Sequence, residues 1–320
     1  EHTFIKDLSK FEDREITLKG WLAQKRDSKG LVFATMRDGT GFVQVVVDVN
    51  VVGDNIFNEI KSLPQESSFA VTGLVKKDER QIGGFEISAV SLEIIGVSEN
   101  YPITPKEHGI EFLMDNRHVW LRSKRQWAIM RIRNTIIFSI HKFFQEDGFI
   151  QMDSPIFTGN AVEGTSTLFE TDFYGEPAYL SQSGKLYGEA MAMAHNKIYT
   201  FGPTFRAEKS KTRRHLSEFW MIEPEMAFHD NFDNMDLIER FLRAVVSEVL
   251  DKNKEELKLV RGEENIPMLE NVVKPFPRLT YDEAVKIIKG EVDVNGKNAI
   301  ASLEEDLSLV KTRIQAVKSE

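Results

Sequence analysis

Apolar and polar residues alternate in five stretches of the first hundred residues. They are EITLKGWLAQKR (15–26), LVFATMRD (31–38), GFVQVVVD (41–48), SFAVTGLVKK (68–77) and FEISAVSLEIIG (85–96). A period of two marks strands with one buried and one wetter face. Asp38-Gly39-Thr40 joins the second and third stretches, and an Asp-Gly pair marks a tight hairpin. Between the third and fourth strands, DNIFNEIKSL (54–63) sets Ile56, Phe57 and Ile60 on one helical face.

Five strands with one helix after the third is the order of an OB-fold barrel, expected over residues 1–100. Such barrels commonly hold single-stranded nucleic acid on the face of strands two and three, by stacking and hydrogen bonding. Phe33 lies on that stretch, with Arg26 and Gln44 nearby. Spacing alone leaves Phe33 two readings, a barrel-core residue or a platform for an unpaired base. Residues 101–116 carry Pro102 and Pro105 and no clear period, as expected of a linker.

Beyond it, IMRIRNTIIFSIHKFFQEDG (129–148) repeats apolar residues at three- and four-residue steps and predicts a long amphipathic helix closed by Gly148. FIQMDSPIFT (149–158) predicts a strand whose Pro155 suits an edge or an end. KIYTFGPTFRAE (197–208) and EFWMIEPEMAF (218–228) predict two antiparallel strands around the polar, basic loop KSKTRRHLS. Ile300, Leu303, Leu307, Val310, Ile314 and Val317 follow steps of 3, 4, 3, 4 and 3, a short heptad stripe over 291–320. Ser302 and Glu305 are spaced as a capping box for that helix.

The 320 residues include 41 Lys and Arg against 50 Asp and Glu, a formal net charge of −9, which argues against indiscriminate binding to nucleic acid. The charge is uneven. Residues 117–133 hold six Lys or Arg and no acid, and Arg206 to His215 is also rich in base. Local basic stretches on an acidic chain suit a polyanion held in defined places, or solvated faces. Without cysteine there are no disulfides, thiolate metal sites or thiol nucleophiles, in keeping with a reducing compartment. No apolar run reaches the length of a membrane helix, and the start EHTFIKDL lacks an apolar leader, so a cytoplasmic protein without membrane contact is expected. The absence of an initial Met suggests that first residues precede Glu1.

FRAEKSKTRRHLSEF followed by MIEPEMAF resembles motif 2 of the class II aminoacyl-tRNA synthetases. The helix of residues 129–147 followed by FIQMDSPIFT resembles their motif 1. EGTSTLFETDFYGEPAYLSQSGKLYGEA (163–190) resembles the substrate pocket of the aspartate/asparagine subgroup, and GWLAQKR, LVFATMRDGTGFVQ and FEI resemble its anticodon-binding barrel. The resemblance covers roughly residues 15–285 and implies an α+β chain: an OB-fold anticodon-binding barrel over 1–100, then a class II catalytic core, an antiparallel sheet flanked by helices, over 117–290. It implies ATP as substrate, Mg2+, tRNA as partner and a homodimer with Pro155 near its interface.

By the same resemblance, Arg206 clamps the α-phosphate and the substrate carboxylate, and is the catalytic residue. A planar guanidinium can bridge both groups. Glu208 accepts from the adenine amino group, Phe219 stacks on the adenine, and His215 lies near the outer phosphates. Glu163 binds the substrate ammonium, with Ser183 and Lys185 in the same pocket. Phe33 becomes the stacking platform for the middle anticodon base, with Arg26, Gln44 and Glu86 as companions. Aspartate enzymes of the subgroup carry a lysine where this chain has Gly188 followed by Glu189. A carboxylate there repels aspartate and accepts from an amide, so asparagine is the expected substrate and Glu189 its reader.

Two features depart from the pattern. The usual S-G-Q-L-Y is here Ser183-Gly184-Lys185-Leu186-Tyr187, which puts a positive charge where a neutral amide would meet substrate. The third motif and the acidic magnesium ligands are not found, and are expected beyond residue 320 in a longer protein. An aspartate-charging or dual-specificity relative, an amide-forming relative and a non-catalytic tRNA-binding paralogue are the alternatives.

Overall fold

The computed structural model describes residues 3–104, 106–160, 167–210, 212, 214–294 and 296–319. The chain separates into two compact units, Glu1–Met130 and Arg131–Glu320.

In the first unit, β1 (Glu15–Ser28), β2 (Leu31–Arg37), β3 (Phe42–Asp48), β4 (Ser68–Lys77) and β5 (Phe85–Gly96) close a barrel in the order β1-β2-β3-β5-β4. All neighbours are antiparallel except β3 and β5. Alternation places Val32, Ala34 and Met36 inside, each fully buried, among Leu18, Leu22, Val45, Phe69, Val71 and Ile87. Phe33 therefore faces outward and is half-buried, which removes the core reading of this residue. Gly20 and Gly73 admit close strand crossings, since a Cβ on either would fall 2.4 or 2.3 Å from a neighbouring carbonyl oxygen.

Helix α1 (Val49–Ser62) begins five residues before the predicted start, capped by the Asp48 side chain, and contains a break at Gly53, where φ is +80°. Its C-terminal carbonyls are gathered by Lys25, whose Nζ donates to Ile60 O at 3.3 Å and Leu63 O at 2.7 Å. Residues 97–130 belong to the same compact unit as the barrel, and include α2 (Ile110–Asp115), α3 (Arg117–Trp120) and the start of α4 (Lys124–Glu146). Arg37 makes a fork to buried Glu66, with both bonds at 2.8 Å, and also donates to Arg122 O at 2.9 Å. Trp127 Nε1 donates to Gly39 O at 2.9 Å, and its ring stands edge-on to Phe42.

The second unit contains two three-stranded sheets. The predicted strand over 149–158 is instead two short ones, β6 (Ile150–Gln151) and β7 (Phe157–Thr158). Pro155 sits in the gap between them, where its missing N–H breaks no ladder. One sheet runs β7-β9-β8, with β8 (Glu170–Phe173) and β9 (Glu176–Leu180). The other runs β11-β10-β6, with β10 (Lys197–Phe205) and β11 (Glu218–Met226) antiparallel and β6 parallel to β10. Helix α5 (Lys185–His195) packs on β10 and β11. Ile140, Phe144, Phe149, Tyr199, Phe201 and Leu237 form the core under this sheet, between α4 and α6 (Asn231–Lys252). Each such side chain contributes roughly 1.5–3 kcal/mol by leaving water.

Helices α7 (Lys254–Arg261), α8 (Ile266–Val272), α9 (Tyr281–Ile288) and α10 (Ala299–Ser319) follow. The capping box expected at Ser302 and Glu305 is not where α10 starts. The helix begins three residues earlier, and Asn298 Oδ1 accepts from the N–H groups of Ile300 and Ala301. Leu303, Leu307, Val310 and Ile314 of the heptad stripe are exposed. No helix among the described residues is long and apolar enough to cross a membrane.

Candidate active site

The pairing of β10 with β11 sets the site. Thr204 lies opposite Phe219, Gly202 opposite Met221, Thr200 opposite Glu223 and Ile198 opposite Glu225. Because side chains alternate along a strand, Phe219, Met221, Glu223 and Glu225 project from the same face of β11. That line spans about 20 Å at the usual strand rise. Its partners across the ladder are small or medium, and a Cβ on Gly202 would meet nothing within 4 Å. The opposite face of β11 carries Ile222 and Met226 into the core.

At one end of the line lies a hollow of about 280 Å3 lined by Arg206, Glu208, Arg214, His215, Leu216 and Phe219. The Arg206 guanidinium sits 5.5 Å from the centre of the Phe219 ring and reaches Met221 Sδ at 4.0 Å. The Arg206 N–H donates to Ser217 O at 2.9 Å, closing the base of the loop between the strands. Within the loop, Thr212 Oγ1 and His215 Nδ1 are hydrogen-bonded. The fold thus brings together four predicted nucleotide residues, Arg206, Glu208, His215 and Phe219. Arg214 and Leu216 join them.

Alongside β10, from Phe205 to Thr200, runs the turn Ser181–Gly184. Ser183 is buried and donates its hydroxyl to Glu223 Oε1. Gly184 N–H and Thr200 Oγ1 donate to Glu223 Oε2 at 2.7 and 3.2 Å. A Cβ on Gly184 would lie 2.5 Å from Thr200 Oγ1, so only glycine fits there. Ser181 Oγ donates to Ser183 O, and the Phe205 N–H donates to Ser181 O. Tyr187 and Thr158 share a hydrogen bond of 2.7 Å.

Lys185 and Glu189 are both exposed, on the first two turns of α5, and their charged ends are 3.8 Å apart. Gly188, one residue before Glu189, is buried against the sheet, where a Cβ would touch Glu225 Cγ at 3.5 Å. Burial pushes the Glu225 carboxyl above its ordinary value; Lys185 pulls it down, and Glu189 and Glu223 push it further up. Glu223 and Glu225 lie within MIEPEMAF and have no role assigned from the sequence, although two carboxylates two residues apart among Met221, Ile222, Pro224 and Met226 are a visible signal of a polar cleft. Glu163 lies outside the described residues.

In the barrel unit, the Arg26 guanidinium covers the Phe33 ring at 4.6 Å from its centre. Gln44 Nε2 donates to Glu86 Oε2 at 3.2 Å, across the β3–β5 pairing. The four predicted residues therefore form two contact pairs on neighbouring strands. Among the described residues, no group of three or more His, Asp or Glu side chains could hold a metal ion.

Comparison with known proteins is consistent with this layout. Residues 109–316 match the model for tRNA synthetases class II (D, K and N), and residues 16–95 match the OB-fold nucleic acid binding domain. An asparagine–tRNA ligase of Koribacter versatilis (strain Ellin345) is 51% identical over 297 residues, covering 90% of this chain and 67% of that protein. The crystal structure of asparaginyl-tRNA synthetase from Pyrococcus horikoshii complexed with asparaginyl-adenylate superposes with a TM-score of 0.81 at 37% identity, covering 92% of this chain and 68% of that one. Asparaginyl-tRNA synthetase of Entamoeba histolytica gives a TM-score of 0.74 at 27% identity, covering 92% of this chain and 67% of that one. The chain belongs to the class II tRNA synthetases of the aspartate, lysine and asparagine group, with an OB-fold nucleic-acid-binding domain ahead of its synthetase core.

Proposed function

We propose that this protein is an asparagine–tRNA ligase. The observation that supports it most is the single face of β11, with a nucleotide-sized hollow at Phe219 and Arg206 and a carboxylate-rich pocket at Glu223 and Glu225. Class II synthetases use ATP as substrate. The asparagine carboxylate attacks the α-phosphorus of ATP, forming the acyl-phosphate bond and breaking the bond to pyrophosphate. A ribose hydroxyl at the tRNA 3′ end then takes the acyl group, and AMP leaves. The first nucleophile is already ionised, so no general base is needed, and catalysis rests on positioning and charge.

Arg206 bridges the substrate carboxylate and the α-phosphate. Phe219 stacks on the adenine, Glu208 accepts from its amino group, and His215 sits toward the outer phosphates. Ser183, held by Glu223, lines the amino-acid end with Lys185, and Glu163 takes the ammonium. Glu189 accepts from the asparagine amide. Gly188 stands where aspartate enzymes of the subgroup carry a lysine, and here a side chain at that position would meet Glu225. Two carboxylates in that corner disfavour a substrate carboxylate.

The barrel over residues 1–100 binds the anticodon, with Phe33 stacking, and Arg26, Gln44 and Glu86 beside it. Residues 101–116 link it to a catalytic part over 117–290, and the amphipathic helix α10 lies within 291–320. The protein acts as a cytoplasmic homodimer, with Pro155 near the dimer interface. Mg2+ accompanies ATP in this reading, and no step is assigned to it. Exchange of pyrophosphate into ATP tests the proposal. Exchange dependent on asparagine and much weaker with aspartate is expected; a preference for aspartate, or tRNA binding without any exchange, would overturn it.

A further inference from the structure

Lys185 is badly placed for the helix it begins. As the first residue of α5 it puts a cation at the positive end of the helix dipole, with no acidic residue in the first turn and no side-chain cap. The helix dipole therefore does not account for a lysine here. Its neighbours do. Lys185, Gly188 and Glu189 fall at i, i+3 and i+4, on one side of the helix. Gly188 on that side faces Glu225, whose Cγ a Cβ there would meet at 3.5 Å. Lys185 Nζ is 3.8 Å from Glu189 Oε1. The third carboxylate, Glu223, already accepts from Ser183, Gly184 and Thr200. Among the described residues, the corner thus has two acids with no backbone or hydroxyl donor, Glu189 and Glu225, and Lys185 as the cation beside them.

We infer that Lys185 sets how strictly the site prefers an amide over a carboxylate, by offsetting the negative charge of Glu189 and Glu225. This rests on the asparagine reading above and adds a regulator of its specificity. An amide is neutral and feels the ammonium weakly. A substrate carboxylate is repelled by both glutamates and attracted by Lys185, so the lysine admits aspartate more readily than a neutral residue would. The interaction is partly screened, since Lys185 and Glu189 are each more than half exposed.

Calorimetry with the non-hydrolysable asparaginyl and aspartyl sulfamoyl-adenosines, on the full protein, tests this. Lys185→Gln and Lys185→Met should each widen the asparaginyl-to-aspartyl affinity ratio by about tenfold, the aspartyl arm changing more; this corresponds to a differential of about 1.4 kcal/mol. Lys185→Arg keeps the charge and should keep the ratio. A loss of packing or folding would weaken both ligands together and leave the ratio unmoved. A ratio unchanged or narrowed in both neutral variants, while the wild type binds the asparaginyl analogue, would overturn the role of Lys185 alone. A wild type that binds neither analogue would overturn this role and the asparagine reading together.

Discussion

The Phe205 N–H donates to the Ser181 carbonyl at 2.9 Å, and this bond sets the turn that carries Ser183 beside the strand end that carries Arg206. The two halves of the site come from segments more than twenty residues apart. Glu223, reaching from β11 to Ser183, Gly184 and Thr200, fixes the same turn from the other side. A carboxylate accepting from several donors is held in one rotamer, and the donors with it.

Gly184 is where that arrangement is least tolerant. In Gly184→Ala the new methyl would start 2.5 Å from Thr200 Oγ1 and 3.0 Å from Glu223 Oε2. Overpacking of this kind costs about 1–3 kcal/mol. The substitution should lower the urea midpoint and weaken asparaginyl-adenylate analogue binding at least tenfold. Adding Thr200→Ala removes the nearer clash and should restore part of both, a coupling a double-mutant cycle would read. Additive effects would show that the turn relaxes freely.

Much of the barrel was legible because its strands are half-buried, so alternation marks both existence and ends. The predicted 68–77 and 85–96 coincide with β4 and β5. The strand expected over 149–158 failed because Pro155 interrupts it and its pairing depends on β9 and β10, which arrive later in the chain. The basic run over 117–133 was ambiguous for a similar reason. Arg122 faces Glu66 and Arg131 faces Glu256, partners that no local pattern reveals. Motif 2 was legible by resemblance, whereas the role of Glu223 depends on a turn forty residues earlier in the sequence folding back onto its strand.

Asp147, just after α4, joins Arg240 of α6 and Lys197 of β10. The Arg240 guanidinium holds its carboxyl below the ordinary 3.8, against an opposing effect of burial, and the Lys197 charge adds to the lowering. A depressed carboxylate pKa contributes stability that is present above pH 3.8 and lost as pH falls from there through the folded value. Asp147→Asn should flatten the acid limb of the stability curve in that window. At neutral pH the loss should be modest, about 0.5–1 kcal/mol, because Arg240 is half exposed and solvent screens the pair. Urea melts from pH 3 to 7 would check it; an unchanged acid limb would reject the linkage.

Asn298 caps α10 and also donates to Gly290 O and Asp293 Oδ1, both at 2.9 Å. Asn298→Ala should therefore destabilise the helix by about 1 kcal/mol, the usual worth of such a cap. Ser302→Ala, inside the helix, should change stability by less than about 0.5 kcal/mol. Hydrogen exchange of the amides at 300–304 separates the two, since only the first substitution should speed it. Equal acceleration by both would return the cap to Ser302.

Arg206 and Phe33 lie in different compact units, and the proposed ligase assigns them different ligands. Arg206→Ala removes the guanidinium beside Phe219 and Met221 and with it the proposed bridge from carboxylate to α-phosphate. Asparagine-dependent pyrophosphate exchange should fall by at least a hundredfold, the scale for losing a charged transition-state donor, while tRNA affinity stays nearly constant. Phe33→Ala removes an outward ring on the barrel that a single Arg26 covers. It should weaken tRNA binding by about 1–3 kcal/mol, the worth of one stacked base, and leave exchange without tRNA unaltered. Measuring both ligands in both variants distinguishes a divided labour from a shared one. If each substitution damages exchange and tRNA affinity alike, the assignment of separate sites to the two units fails.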